Sequence, residues 1–228
     1  MKIAEYTPPI EIHTELNPKL WKNEKLRKDV QVALLKIAKE FYQFLEIDIK
    51  IIDIYVTGSQ ANYNYTDHSD LDLHLIVDYD TVSCDQPVGE LFDTKRKLWK
   101  EYHDITVNSI PVELYVEDSN TPAVSSTYSV LKDKWISKPE VPDAEFQEDE
   151  VKRIVLIWER VIKGGMSTGN LELLTHIKDL LSQYRKAGLA KSGEYGVPNL
   201  VFKSLRNDGM ISALMEKIGD LKDRQLSL

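Results

Sequence analysis

Two aspartates, Asp70 and Asp72, open the apolar run Leu71-Asp72-Leu73-His74-Leu75-Ile76-Val77. Alternate residues of a strand share a face, so the two carboxylates project from one side, about 7 Å apart. Like charges at that distance repel unless a cation joins them. No Lys or Arg stands between Ile51 and Thr94, while that window holds Asp53, Asp67, Asp70, Asp72, Asp78, Asp80, Asp85, Glu90 and Asp93. A divalent ion is the simplest neutralising partner. Hard carboxylate oxygens favour Mg²⁺ or Mn²⁺ over zinc.

A third acid would complete a two-metal site. Glu113 is the best placed, an acid amid Ile110, Pro111, Val112, Leu114, Tyr115 and Val116. A buried strand carries such a group at a cost of several kcal/mol unless it is paired or ligates a metal. Glu117, on the same face but nearer the strand end, ranks second. Upstream, the β-rich residues 51–57 end in Gly58-Ser59. Glycine permits close approach of backbone, and N–H groups with a hydroxyl suit a triphosphate tail. Two metals on such a triad would bind the triphosphate, polarise the α-phosphorus and activate an attacking hydroxyl. That is the chemistry of nucleotidyl transfer. Ser59 as a covalent nucleophile lacks a nearby paired base.

Gly58-Ser59, ten residues, then Asp70-Leu71-Asp72, with an acid on a later strand, resembles the DNA polymerase β-type nucleotidyltransferase superfamily. The spacing is similar to that of its minimal nucleotidyltransferases, antibiotic nucleotidyltransferases and toxin–antitoxin relatives. The resemblance covers residues 51–118. It implies an NTP substrate, Mg²⁺ (or Mn²⁺) as cofactor, and Asp70 and Asp72 as catalytic metal ligands. It makes Glu113 the third catalytic acid and metal ligand, and also the base for the acceptor hydroxyl. The family often has Asp there, and Glu reaches one bond further. Gly58 and Ser59 would hold the β- and γ-phosphates, with Gln60 and Asn62 adding phosphate or sugar contacts. The acceptor would be a small molecule, a protein side chain or an RNA end. Two alternatives stand beside the enzyme: a catalytically silent nucleotide-binding regulator and an antitoxin-like partner protein.

The basic cluster Lys95, Arg96, Lys97 and Lys100 either meets the triphosphate or an RNA acceptor, Lys95 among the contacts, or is a solvated helix face. Basic and aromatic residues also interleave at Tyr184, Arg185, Lys186, Lys191, Tyr195, Lys203 and Arg206, a second binding surface or a set of snorkelling side chains. His74 lies on the face of Asp72, as a supporting group or a polar neighbour. Residues 67–78 fail as an EF-hand because Asp72 stands where Gly is needed. Residues 164–171 fail as a P-loop because Asn170 and Leu171 replace Lys and Ser/Thr.

The elements that must position these residues read as α/β (α+β): a nucleotidyltransferase palm, residues 1–137, with an N-terminal helix and a mixed β-sheet flanked by helices, then a C-terminal α-helical domain, residues 138–228. Residues 1–18 read as an extended arm and 19–45 as one amphipathic helix. Strands are expected at 50–57, 71–77, 105–107 and 110–116, a loop at 79–89, and a helix at 90–103. Residues 124–135 are ambiguous and partly helical. Residues 137–143, with Pro139 and Pro142, read as a linker. Helices follow at 144–163 (stopped by Gly164-Gly165), 171–186 (capped by Asn170 and ended at Gly188), 199–206 (capped by Asn199) and 211–221.

The 228 residues carry 42% hydrophobic and 29% charged side chains, the balance of a globular protein. A net charge of −8 argues against nucleic-acid binding over the whole surface. The lone Cys84 excludes an intrachain disulfide and a Cys-based zinc site, and suits a reducing cytoplasm. No signal-like apolar region or bilayer-length run is present, so no membrane association is expected.

Overall fold

The computed structural model describes residues 12–83, 87–122, 125–140 and 148–227. Cys84, Asp85, most of the expected N-terminal arm, and residues 141–147 of the expected linker and first C-terminal helix lie outside the described residues. By internal packing the chain forms two units, one within residues 12–141 and one within residues 142–228. The architecture is mixed α/β followed by a helical region, as expected.

The first unit begins with a hairpin, β1 (Trp21–Lys22) and β2 (Lys25–Leu26). Helix α1 (Lys28–Leu45) follows, then β3 (Asp53–Thr57), β4 (Leu71–Val77), α2 (Val88–Tyr102), β5 (Thr106–Val107), β6 (Ile110–Asp118), β7 (Thr127–Ser129) and β8 (Lys134–Ser137). The six-stranded sheet has the order β5-β6-β4-β3-β7-β8. β4 and β6 are parallel, with α2 in the crossover between them, and the remaining pairs are antiparallel.

Period-two alternation divides the sheet chemically. On one face Val56, Leu71, Leu73, Leu75, Leu114 and Tyr128 are buried together with Leu34 and Phe41 of α1 and Phe92 and Trp99 of α2. α1 supplies its stripe at Val30, Leu34, Ala38, Phe41 and Leu45, the spacing that faces one side of a helix. The opposite face carries Tyr55, Thr57, Asp72, His74, Glu113, Tyr115 and Glu117, brought level by register. Burial of the apolar face fixes that register, because a one-residue slip would exchange the two sets.

Two expectations fail in this unit. The helix expected over residues 19–45 begins only at Lys28. Asn23 and Glu24 adopt φ of 51° and 58°, turning the chain into a hairpin. Tertiary contacts hold it there: the Trp21 indole N–H donates to the Gln60 carbonyl at 2.6 Å, and its ring stacks on Trp135 at 4.9 Å. The ambiguous segment 124–135 is not helical where described; it supplies β7 and the start of β8, with Tyr128 fully buried.

The second unit contains α3 (Glu148–Thr168), α4 (Leu171–Ser192), α5 (Val197–Asn207) and α6 (Met210–Leu226). Its core includes Val155, Ile162, Leu174, Ile177, Leu181, Leu200, Leu205 and Leu214. The Asn170 cap is present, its side-chain oxygen accepting from Leu173 N–H at 3.0 Å. Gly164-Gly165 and Gly188 do not end their helices. A Cβ on Gly165 would stand 2.5 Å from Ile177 Cδ1, and one on Gly188 would stand 2.3 Å from Pro198 Cβ, so these glycines let neighbouring helices approach. The helices end instead at Gly169 and Gly193, both at positive φ. Asn199 is no cap either. It is buried in the first turn of α5, accepting from Arg185 Nε at 3.1 Å and donating to the Glu194 carbonyl at 2.7 Å.

Because the proline ring cannot swing aside, Gly188→Ala is expected to destabilise the helical unit by about 2 kcal/mol through overpacking. A lowered urea midpoint, followed by far-UV circular dichroism, checks this. Among the described residues, no helix is long and apolar enough to cross a membrane.

Candidate metal and phosphate site

Thr57, the last residue of β3, lies opposite Asp72, and Asp72 lies opposite Glu113 of β6. Cross-strand partners share a face and stand about 5 Å apart. The sheet therefore sets two of the expected acids side by side. Asp70, half-buried, precedes β4 by one residue and stands two residues before Asp72.

Gly58 leaves β3 with φ 69° and ψ −156°, a region open essentially to glycine alone. A Cβ built there would lie 2.1 Å from Asp72 Oδ2. The chain thus turns directly against the Asp72 carboxylate. Ser59–Ala61 forms a 3₁₀ turn whose side chains are buried. Gln60 is committed to bracing: its amide donates to the Ser69 carbonyl at 2.9 Å and accepts from Asn17 at 2.9 Å. Asn62 is buried as well, its side-chain oxygen accepting from Tyr63 N–H at 2.9 Å.

Glu113 accepts hydrogen bonds from Lys100 Nζ and from the Tyr115 hydroxyl, the latter at 2.8 Å. Burial pushes its carboxyl upward, but those bonds and the charges of Lys100 and Arg96 outweigh it, so it is held below the usual range. Tyr115 is pushed far up, first by burial and then by the Asp72 charge and its bond to Glu113. Arg96 lies over the Tyr115 ring at 4.8 Å. Lys100 and Arg96 are therefore the cations placed beside Glu113 and Tyr115. Lys95 is turned elsewhere, 3.7 Å from Glu46 Oε2 and over the Phe44 ring. A signal for this existed in the sequence, since Arg96 and Lys100 are four apart and share a helix face.

His74 donates or accepts at both ring nitrogens: Nδ1 lies 2.9 Å from Glu117 Oε2 and Nε2 lies 3.1 Å from Thr57 Oγ1. Its ring stacks on Tyr115 at 4.6 Å. Glu117, the second-ranked third acid, is thus engaged with His74. The acidic window is also less bare than its sequence: Lys132 Nζ reaches the fully buried Asp53 at 2.6 Å.

The donor chemistry of Asp70 and Asp72 fits a hard cation that takes its other ligands from phosphate and water, as Mg²⁺ does. Glu113, opposite Asp72, is paired with Lys100. Among the described residues, no three His, Cys, Asp or Glu side chains stand together as a ready cage.

Lys100→Met is expected to lower stability by less than about 1 kcal/mol at pH 7, because Lys100 is largely exposed. The sign follows from the depressed pKa. The pair's contribution is present above the ordinary carboxylate range and is lost as pH falls through it. Denaturation midpoints of variant and wild type should therefore converge on acidification.

No family model matches the chain, and no curated protein matches it. Among solved structures, the chain is similar to the STING-associated CdnE c-di-GMP synthase from Capnocytophaga granulosa at 11% identity and a TM-score of 0.22, over 88% of this chain and 83% of that one. A similarity that slight supports no argument about what this chain does.

Proposed function

We propose that the chain is a nucleotidyltransferase, moving a nucleoside monophosphate from an NTP to an acceptor hydroxyl with release of pyrophosphate. The observation that carries this reading is the register Thr57–Asp72–Glu113 with the Gly58 turn pressed on the Asp72 carboxylate. In it, Asp70 and Asp72 hold Mg²⁺ (or Mn²⁺). That ion, when bound, would neutralise the triphosphate and polarise the α-phosphorus. The Gly58-Ser59 turn binds the phosphate tail. Lys100 and Arg96 bring positive charge to the edge of the acidic face. Glu113, held at low pKa by Lys100, is a weak base there, so proton removal by it requires Lys100 to move away. NTP and Mg²⁺ are plentiful in the cytoplasm, the compartment this reading assigns.

The same ion pair favours a second reading, a nucleotide-binding protein without turnover, in which the third acid stays occupied by Lys100. Pyrophosphate release, measured with each common NTP, Mg²⁺ and a cell extract as acceptor source, decides between them. The transferase releases pyrophosphate. The silent binder shows only a rise in melting temperature with Mg²⁺–NTP. A chain that does neither contradicts both.

A further inference from the structure

Thr57 carries more hydrogen-bonded machinery than a strand threonine needs. Its Oγ1 is 3.1 Å from His74 Nε2, and His74 Nδ1 is 2.9 Å from Glu117 Oε2. A carboxylate only accepts, so the Glu117 bond places the ring proton on Nδ1. In the neutral ring Nε2 then bears the lone pair, and the Thr57 hydroxyl, 3.1 Å away, donates to it. This hydroxyl–imidazole–carboxylate order is the arrangement that activates a nucleophilic oxygen. The Tyr115 ring, stacked on His74 at 4.6 Å and 19°, fixes the imidazole further.

Position gives the hydroxyl its purpose. Thr57 is the cross-strand partner of Asp72 and immediately precedes Gly58. It stands between the candidate phosphate turn and a cleft of about 250 Å³, whose walls include Tyr55, Thr57, His74, Glu117, Ser119 and Thr127.

We propose that Thr57 is a built-in acceptor, so that the chain transfers a nucleoside monophosphate to its own Thr57 Oγ1. The proposal rests on the nucleotidyl-transfer reading and identifies one acceptor for it. In the step, Thr57 Oγ1 forms a bond to the α-phosphorus of the NTP. The bond from that phosphorus to the bridging oxygen of the β-phosphate breaks, and pyrophosphate leaves. The hydroxyl proton passes to His74 Nε2. Glu117 is a positioning residue that holds the ring. The product is a phosphodiester-linked nucleotide on β3, beside the cleft.

The test is the intact mass of the purified full-length chain, both as isolated from cells and after incubation with each of the four common ribonucleoside triphosphates and Mg²⁺, followed by peptide mapping. The expected result is the addition of one nucleoside monophosphate on the peptide containing Thr57, with one pyrophosphate released per modified chain. Thr57→Ser keeps the modification. Thr57→Val loses it while retaining the melting-temperature rise with Mg²⁺–NTP. Glu117→Gln slows the modification at least tenfold without changing that rise, which a purely structural role would not produce. A wild-type chain that stays unmodified, or is modified elsewhere, while releasing pyrophosphate with a cell extract overturns the assignment of Thr57 and leaves nucleotidyl transfer standing. Absence of both modification and pyrophosphate overturns the two together.

Discussion

Asp72→Asn is expected to reduce NTP-dependent pyrophosphate release by about a thousandfold, the rate equivalent of losing about 4 kcal/mol of transition-state stabilisation. Asn keeps the shape of the side chain and removes the charge that recruits the cation. The site lies on the polar face of the sheet, away from the apolar cluster of Leu71, Leu73 and Leu75 that holds β4 in place. The variant should therefore fold, with a melting temperature close to wild type, and its Mg²⁺-dependent stabilisation by NTP should vanish. Thermal denaturation with and without Mg²⁺–NTP, alongside the pyrophosphate assay, checks all three effects. Wild-type turnover in this variant would remove Asp72 from the chemistry.

Gly58→Ala is expected to damage fold and activity together. The backbone of Gly58 sits at φ 69° and ψ −156°, where an alanine is strained by about 1–3 kcal/mol. Its Cβ would also fall 2.1 Å from Asp72 Oδ2, so the carboxylate or the turn must move. The combined cost is about 3 kcal/mol or more. The urea midpoint should drop markedly. At low temperature, where the variant is still folded, pyrophosphate release should remain far below wild type because the displaced atoms are those of the phosphate turn and its metal ligand. A variant as stable and as active as wild type would show that the close approach of Gly58 to Asp72 has no consequence.

Much of this site was legible because its determinants are local. The alternation through Asp70-Leu71-Asp72-Leu73 specifies a strand with two acids on one face, and Gly58 announces a turn that other residues cannot make. Glu113 stands out as an acid in an apolar strand. What lies opposite what is not local. That Lys100 and Tyr115 hold Glu113, and that Thr57, His74 and Glu117 form a relay, follows from the register of β3, β4 and β6, which the packing of the other face imposes. Lys95 has the charge a phosphate site needs, but its position on α2 turns it toward Glu46. Leu20, Trp21 and Leu26 satisfy a helical period as well as a hairpin, and only the turn at Asn23-Glu24 with the bond from Trp21 to Gln60 decides between them. Gly165 and Gly188 show a related ambiguity, for a glycine that ends a helix and one that admits a neighbouring helix look alike until the neighbour is placed.

The most direct test of nucleotidyl transfer is the fate of the phosphates. Wild-type chain is incubated with Mg²⁺, a cell extract and NTP labelled either at the α- or at the γ-phosphorus. Label from the α-position should appear in an acceptor, and label from the γ-position only in pyrophosphate, with both lost in Asp72→Asn. Label from the γ-position in an acceptor or in orthophosphate, with none transferred from the α-position, would contradict the assignment.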